Sequence, residues 1–170
     1  KQAIPLLRKN SVSVVLYGDA PLVTRKTLNK LVNSAASGRL ALLTYKKEDP
    51  SGYGRIVRGP KQNILKIIEH KDATSKEREI KEVNSGILAV KTTSLQQLLP
   101  SIKNNNAAKE YYLTDLIEIA NKQSISVRAT LCEEHEVGGA NSRKELHDLE
   151  RAYQKRLAES LLAKDVLVAD

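Results

Sequence analysis

Apolar positions come in short blocks along the chain, and their spacing changes from block to block. Residues 12–17, Val-Ser-Val-Val-Leu-Tyr, form a β-branched apolar run suited to a buried strand, and Gly18-Asp19-Ala20-Pro21 stops it. Residues 24–36 put Leu28, Leu31 and Val32 on one helical face, with Gly38 closing the segment. A second apolar strand follows at 40–45, then the turn chemistry of Asp49-Pro50-Ser51-Gly52. Residues 55–58 and 64–68, separated by Gly59-Pro60-Lys61-Gln62-Asn63, read as strand, turn and strand. The charged stretch 72–82 suits a loop or a short exposed helix, and 86–90 suits another strand. Helical spacing returns at 94–99 and 110–123, on either side of Asn104-Asn105-Asn106, and 125–131 alternates like a strand. Ser142 and Glu145 have capping-box spacing at the start of a last helix. Its Leu146, Leu149, Tyr153, Leu157 and Leu161 make one apolar stripe, expected to pack against the body or another subunit. Strands alternating with helices predict an α/β sheet of parallel character.

Composition narrows the class. The chain has 170 residues, 41% hydrophobic and 28% charged, the balance of a folded domain rather than a disordered segment. That length suits one domain, or one domain with an extension. No apolar run approaches the roughly 18 residues of a membrane-spanning helix, so no membrane partner is expected. A single cysteine, Cys132, excludes an internal disulfide framework and points to a reducing compartment. No signal-peptide pattern opens the chain and methionine is absent, so a processed chain or an internal piece of a longer one is expected. Charge is uneven: residues 1–70 carry 13 basic and 4 acidic side chains, residues 71–170 carry 15 and 16. A basic first part suits nucleic acid, an anionic small ligand or solubility alone. All six aromatics are tyrosine and no stacking or zinc-finger motif occurs, which weighs against nucleic acid. A phosphate-bearing substrate accounts for the same sign, as does a merely basic surface.

Several short segments carry chemistry, each with an ordinary structural reading beside it. Asp19, directly after a buried strand, offers a hard oxygen of the kind Mg²⁺ takes, or simply caps a turn before Pro21. Gly52-Tyr53-Gly54 lets backbone approach a ligand, or makes a tight turn. Glu69, in Glu69-His70-Lys71-Asp72, can accept hydrogen bonds from sugar hydroxyls, or end a strand in solvent. Asn84 both donates and accepts, which suits sugar recognition as well as a turn. Asn141 is a helix cap or an oxygen ligand for a metal. Cys132 and His135 have a metal-like spacing, but no second pair completes a zinc site and nothing nearby completes a nucleophile.

In order, these segments resemble one family. Leu16-Tyr17-Gly18-Asp19-Ala20-Pro21-Leu22, Asp49-Pro50-Ser51-Gly52-Tyr53-Gly54-Arg55-Ile56 and Ile68-Glu69-His70-Lys71-Asp72-Ala73-Thr74 are its successive blocks. Asn84-Ser85-Gly86-Ile87, Asn104-Asn105-Asn106-Ala107, Glu110-Tyr111-Tyr112-Leu113-Thr114-Asp115 and Gly139-Ala140-Asn141-Ser142-Arg143 continue the series. The family is the bacterial bifunctional N-acetylglucosamine-1-phosphate uridylyltransferase/glucosamine-1-phosphate acetyltransferase, and the resemblance runs from about residue 12 to about residue 165. It implies a Rossmann-like nucleotidyltransferase domain of α/β class over residues 1–142 and a helical arm over 143–170. The arm would lead to a left-handed β-helix acetyltransferase domain, a homotrimer in the parent protein. The implied reaction joins UTP and N-acetylglucosamine 1-phosphate into UDP-N-acetylglucosamine, releasing pyrophosphate, in the cytoplasm. By motif match, Asp19 and Asn141 would hold Mg²⁺, and Tyr17 and Gly18 would line the nucleotide–sugar crevice. Gly54, Glu69 and Asn84 would contact the sugar, with Tyr112 and Thr114 nearby.

Two parts of the family pattern do not occur in this sequence. They are the glycine-rich loop that grips the triphosphate and uracil, and the hexapeptide repeat of the β-helix domain. The sequence is therefore expected to be the middle of the parent, with impaired UTP binding. Two alternatives remain. One is a non-catalytic sugar-nucleotide-binding or oligomerisation fragment; the other is a related sugar-1-phosphate nucleotidyltransferase.

Overall fold

The computed structural model describes residues 2–168; Lys1 and residues 169–170, the outer ends of the two expected segments, lie outside the described residues. In chain order come β1 (Val12–Val15), α1 (Arg25–Ala36), β2 (Leu40–Lys46), β3 (Arg55–Arg58) and β4 (Ile64–Ile68). Then follow α2 (Ser75–Arg78), β5 (Glu82–Lys91), α3 (Thr92–Leu98), α4 (Leu116–Lys122), β6 (Val127–Leu131), α5 (Glu134–Val137) and α6 (Arg143–Leu162).

The sheet has the order β4-β3-β5-β2-β6, with β1 also paired to β5. β2 runs along one edge of β5, while β1, at residues 88–91, and β3, at Val83, share the other. The expected parallel character is corrected: among the described residues only β2–β6 is parallel, and the other pairings are antiparallel. Parallel neighbours need a crossover of a dozen or more residues, and the tight turn between β3 and β4 offers none.

Helices cover both faces, which is why β2 is apolar at consecutive positions rather than at alternate ones. Leu40 and Leu42 pack with Leu88, Val90, Ile56 and the α3/α4 residues Leu95, Leu98, Leu116 and Ile117. Ala41, Leu43 and Tyr45 point the other way, onto Leu31 and Ala35 of α1. Each of these side chains is at least nine-tenths buried.

Three elements differ from expectation in ways that matter for the site. β1 stops at Val15, so Tyr17 belongs to the following loop. The helix expected over 110–123 begins only at Leu116; Tyr112 has extended backbone and Leu113–Asp115 form a 3₁₀ turn. β5 starts at Glu82 and carries a bulge, because Leu42 pairs with Leu88 while Thr44 pairs with Asn84. Gly86 sits in that bulge at φ +82°. The Ser85 hydroxyl donates to the Leu43 carbonyl (2.8 Å) and accepts from the Ile87 N–H (3.1 Å), replacing ladder bonds that the bulge removes.

The last helix is capped as its sequence suggests, with one change. Ser142 Oγ accepts from the Glu145 N–H, but the Glu145 carboxylate takes the Asn141 N–H (2.8 Å) and the Ser142 hydroxyl (3.0 Å). The expected packing of its stripe on the body is limited to half-buried Leu149, beside Gly138. Leu146, Tyr153, Leu157 and Leu161 are exposed, since α1 already covers the face the helix approaches.

The loop after β1 is stitched to the segment that follows α5. The Ala140 N–H donates to the Asp19 carbonyl at 3.0 Å. The Glu136 carboxylate accepts from the Thr27 hydroxyl (2.6 Å) and the Thr24 N–H (3.3 Å) at the start of α1. Burial pushes the Glu136 carboxyl up, but the bonds from Thr27 and Thr24 prevail and hold it below its ordinary 4.5. A carboxylate lowered in the folded state stabilises it above the unfolded value, and that contribution fades as pH falls through the folded value. Glu136→Gln is expected to cost about 1–2 kcal/mol at neutral pH. In urea titrations at a series of pH values, the gap between variant and wild type should close as the pH drops below 4.5.

Candidate functional site

Four of the residues expected at the sugar, Gly54, Glu69, Asn84 and Thr114, meet at one end of the sheet, beside Tyr17 of the expected crevice wall. A Cβ on Gly54 would stand 2.9 Å from Ile67 Cγ2 and 3.3 and 3.4 Å from the two Glu69 carboxylate oxygens. Only glycine lets that carboxylate lie so close over β3. The Thr114 hydroxyl donates to Glu69 Oε1 at 2.9 Å, which the late start of α4 allows. The Asn84 N–H donates to the Gly54 carbonyl at 2.9 Å. The Tyr17 ring lies on Gly86, with Cε2 2.3 Å from where a Cβ would be.

Tyr17, Asn84, Gly86 and Thr114 line a cleft of about 20 Å³, with Leu42 and Ile67 as its floor. That is room for roughly one water. A larger ligand reaches these groups at the mouth or by displacing the Tyr17 ring, which is 49% exposed. Tyr112 directly precedes the 3₁₀ turn whose Leu113 and Thr114 line the cleft. Desolvation, then the carboxylates of Asp72, Glu110 and Glu69, raise its phenol above the ordinary value. Burial, then Glu118, Glu69 and Asp72, raise Asp115 likewise. Carboxylates therefore gather around Tyr112 and Asp115 and supply acceptors there.

Asp19 and Asn141 come together about Gly139. A Cβ there would be 3.1 Å from Asp19 Oδ2 and 3.7 Å from Asn141 Nδ2, so two side chains far apart in sequence flank one backbone point. Both are exposed. Among the described residues no group of three or more His, Cys, Asp and Glu side chains could hold a metal ion. A cation at this point would rely on Asp19, on the Asn141 side-chain oxygen, and on ligand or water oxygens, a donor set that suits hard Mg²⁺. Gly18 has nothing within 4 Å of its Cβ position, so packing does not require glycine there.

Cys132 is half-buried, donates to the Thr44 carbonyl at 3.4 Å, and its thiol is pushed up to about 11 by burial, then by Glu136 and Glu133. It is a protonated structural thiol. Beside Gly139 a groove of about 500 Å³ runs between Tyr45, Tyr53 and α6. Lys47 there pairs with Glu134 and stands 5.3 Å from the Tyr53 ring centroid. Sequence reasoning singled out neither Lys47 nor the two seats, Gly86 and Gly139. The signal for the seats was a glycine next to a site residue in each block, Asn84-Ser85-Gly86 and Gly139-Ala140-Asn141.

Gly86 and Gly18 make a controlled pair. Gly86→Ala forces a side chain to φ +82° against the Tyr17 ring and should cost about 1–3 kcal/mol in chemical denaturation. Gly18→Ala, with open space around it, should change stability by less than about 0.5 kcal/mol.

No protein-family model matches the chain. Curated relatives do. The chain is 45% identical over 171 aligned residues to the bifunctional protein GlmU of Burkholderia multivorans, covering 100% of this chain and 38% of that protein. It is 44% identical to that of Cellvibrio japonicus and 42% identical to that of Idiomarina loihiensis, with the same coverage. Among solved structures, a Bacillus anthracis protein described as a glucose-1-phosphate thymidylyltransferase, in complex with sucrose, superposes with a TM-score of 0.61 at 16% identity. The match covers 99% of this chain and 61% of that one. A CMP:2-keto-3-deoxy-manno-octonic acid synthetase complexed with CTP follows at 0.54 and 13%, over 86% of this chain and 63% of that one. The fold is that of the sugar nucleotidyltransferases, and along its whole length the chain is kin to a stretch spanning 38% of the bifunctional GlmU proteins.

Proposed function

We propose that these residues form the sugar-facing and metal-holding part of a uridylyltransferase. It makes UDP-N-acetylglucosamine and pyrophosphate from UTP and N-acetylglucosamine 1-phosphate. The observation that carries this reading is the meeting of Asp19 with Asn141 about Gly139. Asp19 is on the same loop as Tyr17, which lines a cleft with Asn84 and with Thr114, whose hydroxyl holds Glu69 beside Gly54.

The electrostatics support one orientation of the substrate. Glu69, Asp72, Glu110 and Asp115 make the Tyr112 end a poor host for phosphate and a good acceptor of hydroxyl protons. The sugar belongs there, and its phosphate belongs toward Asp19 and Asn141. Phosphate beside the Asp19 carboxylate is a like-charge contact. Mg²⁺ held by Asp19 and Asn141 would turn that repulsion into attraction and neutralise charge on the phosphate oxygens. An oxygen of the sugar phosphate attacks the α-phosphorus of UTP in line. A P–O bond forms as the bond to the leaving pyrophosphate breaks, and the electron pair departs with pyrophosphate. The chain's own residues position: Glu69, held by Thr114, fixes a sugar hydroxyl, and Tyr17 and Gly18 wall the crevice between sugar and nucleotide.

The chain spans 38% of the length of the curated relatives it matches. In a protein of that length we assign two tasks to segments outside these 170 residues, the triphosphate grip and acetyl transfer to glucosamine 1-phosphate. In that protein α6 is the arm that leads on, and a trimer is the assembly. The exposed stripe of α6 also favours a second reading, a fragment whose role is oligomerisation. A monomer by light scattering would remove it.

Calorimetric titration of the 170-residue chain with UDP-N-acetylglucosamine and Mg²⁺ tests the main reading. Glu69→Gln should weaken binding about tenfold. In a protein of the relatives' length, Asp19→Ala should lower Mg²⁺-dependent pyrophosphate release by about a hundredfold or more. Near-normal release in that variant removes Asp19 from the proposed metal site.

A further inference from the structure

Among the described residues Arg55 is the largest fully buried side chain, 1% exposed at the first position of β3. A buried guanidinium is normally answered by a carboxylate. Among the described residues Arg55 has none. Its Nη1 donates to the Tyr53 carbonyl, its Nη2 lies 3.1 Å from His70 Nδ1, and its Nε has no partner. Burial, and then the like charge of Arg78, pull it below its ordinary value, with Asp49 a lesser opposing influence. Nothing in core packing requires so costly a group at the start of a strand, where Arg55 pairs with Ile68 on one side and Val83 on the other.

Its two partners have a common feature. The Tyr53 carbonyl belongs to the peptide that enters Gly54, and His70 directly follows Glu69. Gly54 and Glu69 are the pair whose backbone and carboxylate touch across the β3/β4 edge. An arginine donates only, so the Nδ1 it meets must be an unprotonated acceptor. The contact as a hydrogen bond therefore calls for the His70 ring proton on Nε2.

We infer that Arg55 is a positioning residue that clips Gly54 and Glu69 together, through the Tyr53 carbonyl and an Nε2-protonated, neutral His70. The inference rests on the sugar-facing role proposed above for Gly54 and Glu69. The missing carboxylate is explained by it. A carboxylate in that space would compete with Tyr53 and His70 for the same planar fork of donors.

Two measurements separate this inference from the reading it rests on. The first needs no ligand: ¹⁵N shifts of His70, assigned by comparison with His70→Gln, report its tautomer in the free 170-residue chain at neutral pH. The Nε2-protonated form is expected, and Arg55→Lys should abolish the bias, because an ammonium cannot span both acceptors. A proton on Nδ1, or an imidazolium, overturns the clip whatever the substrate proves to be. The second is affinity for UDP-N-acetylglucosamine with Mg²⁺. Arg55→Lys and His70→Leu should each weaken it about tenfold while unfolding stays cooperative, and His70→Gln, which returns an acceptor oxygen, should recover most of the loss. Undiminished affinity in Arg55→Lys and His70→Leu overturns the inference. If the wild-type chain binds no sugar nucleotide, the sugar-facing reading and the positioning role that rests on it fall together, while the tautomer still decides the clip.

Discussion

Everything at the candidate site depends on one loop being held against another. The segment after β1 carries Asp19, and the segment after α5 carries Asn141, more than a hundred residues later. Closing so long a span costs chain entropy that grows only slowly with length, so a few well-made contacts suffice to hold it. Here they are the Ala140 to Asp19 backbone bond and the Glu136 carboxylate on the N-terminus of α1. The carboxylate serves two ends at once: it satisfies donors in the first turn of a helix, and it fixes the entry of the chain into α6. Arg156 adds a third tie, donating to the Leu22 carbonyl at 3.0 Å.

The sheet supplies the complementary half of the site by a different route. β3, β4 and β5 bring Gly54, Glu69 and Asn84 to one end by strand register, which is stiff and local. Tyr17 joins the halves, since it belongs to the Asp19 loop and rests on Gly86 of β5. A ligand lying across them would contact the rigid sheet at one end and the stitched loops at the other. Carboxylates stand at both ends, Glu69 with Thr114 at the sheet end and Asp19 with Glu145 at the loop end.

Much of this was legible in the sequence, for identifiable reasons. The strand cores at 12–15, 40–46, 55–58 and 64–68 and helix α1 were marked by apolar runs, turn residues and caps that act locally. The direction of the strands was not legible, because apolar runs look alike in parallel and antiparallel neighbours once both faces are covered. The start of α4 was misjudged because Glu110-Tyr111-Tyr112 has acceptable helical spacing. Its backbone is instead extended ahead of Thr114, whose hydroxyl reaches Glu69. The nine candidate residues could be named from their blocks, yet only coordinates reveal that Gly86 and Gly139 seat them. The role of a glycine lies in what occupies the space where its side chain would be. Arg55 gave no signal either, since a lone arginine in a strand reads as a solvated edge and not as the largest fully buried side chain among the described residues.

The bulge in β5 has a consequence for how this chain can vary. Between its paired anchors β2 spends one residue and β5 spends three, an excess of two. An even excess preserves parity, so Asn84 and Leu88 look toward the same side of the sheet and both border the cleft with Leu42. Losing or gaining one residue in Ser85–Ile87 would turn Asn84 to the opposite side, away from Glu69 and Tyr17, with the fold otherwise intact. Length there is therefore quantised in pairs, a constraint separate from the one that Gly86 and Ser85 place on residue type.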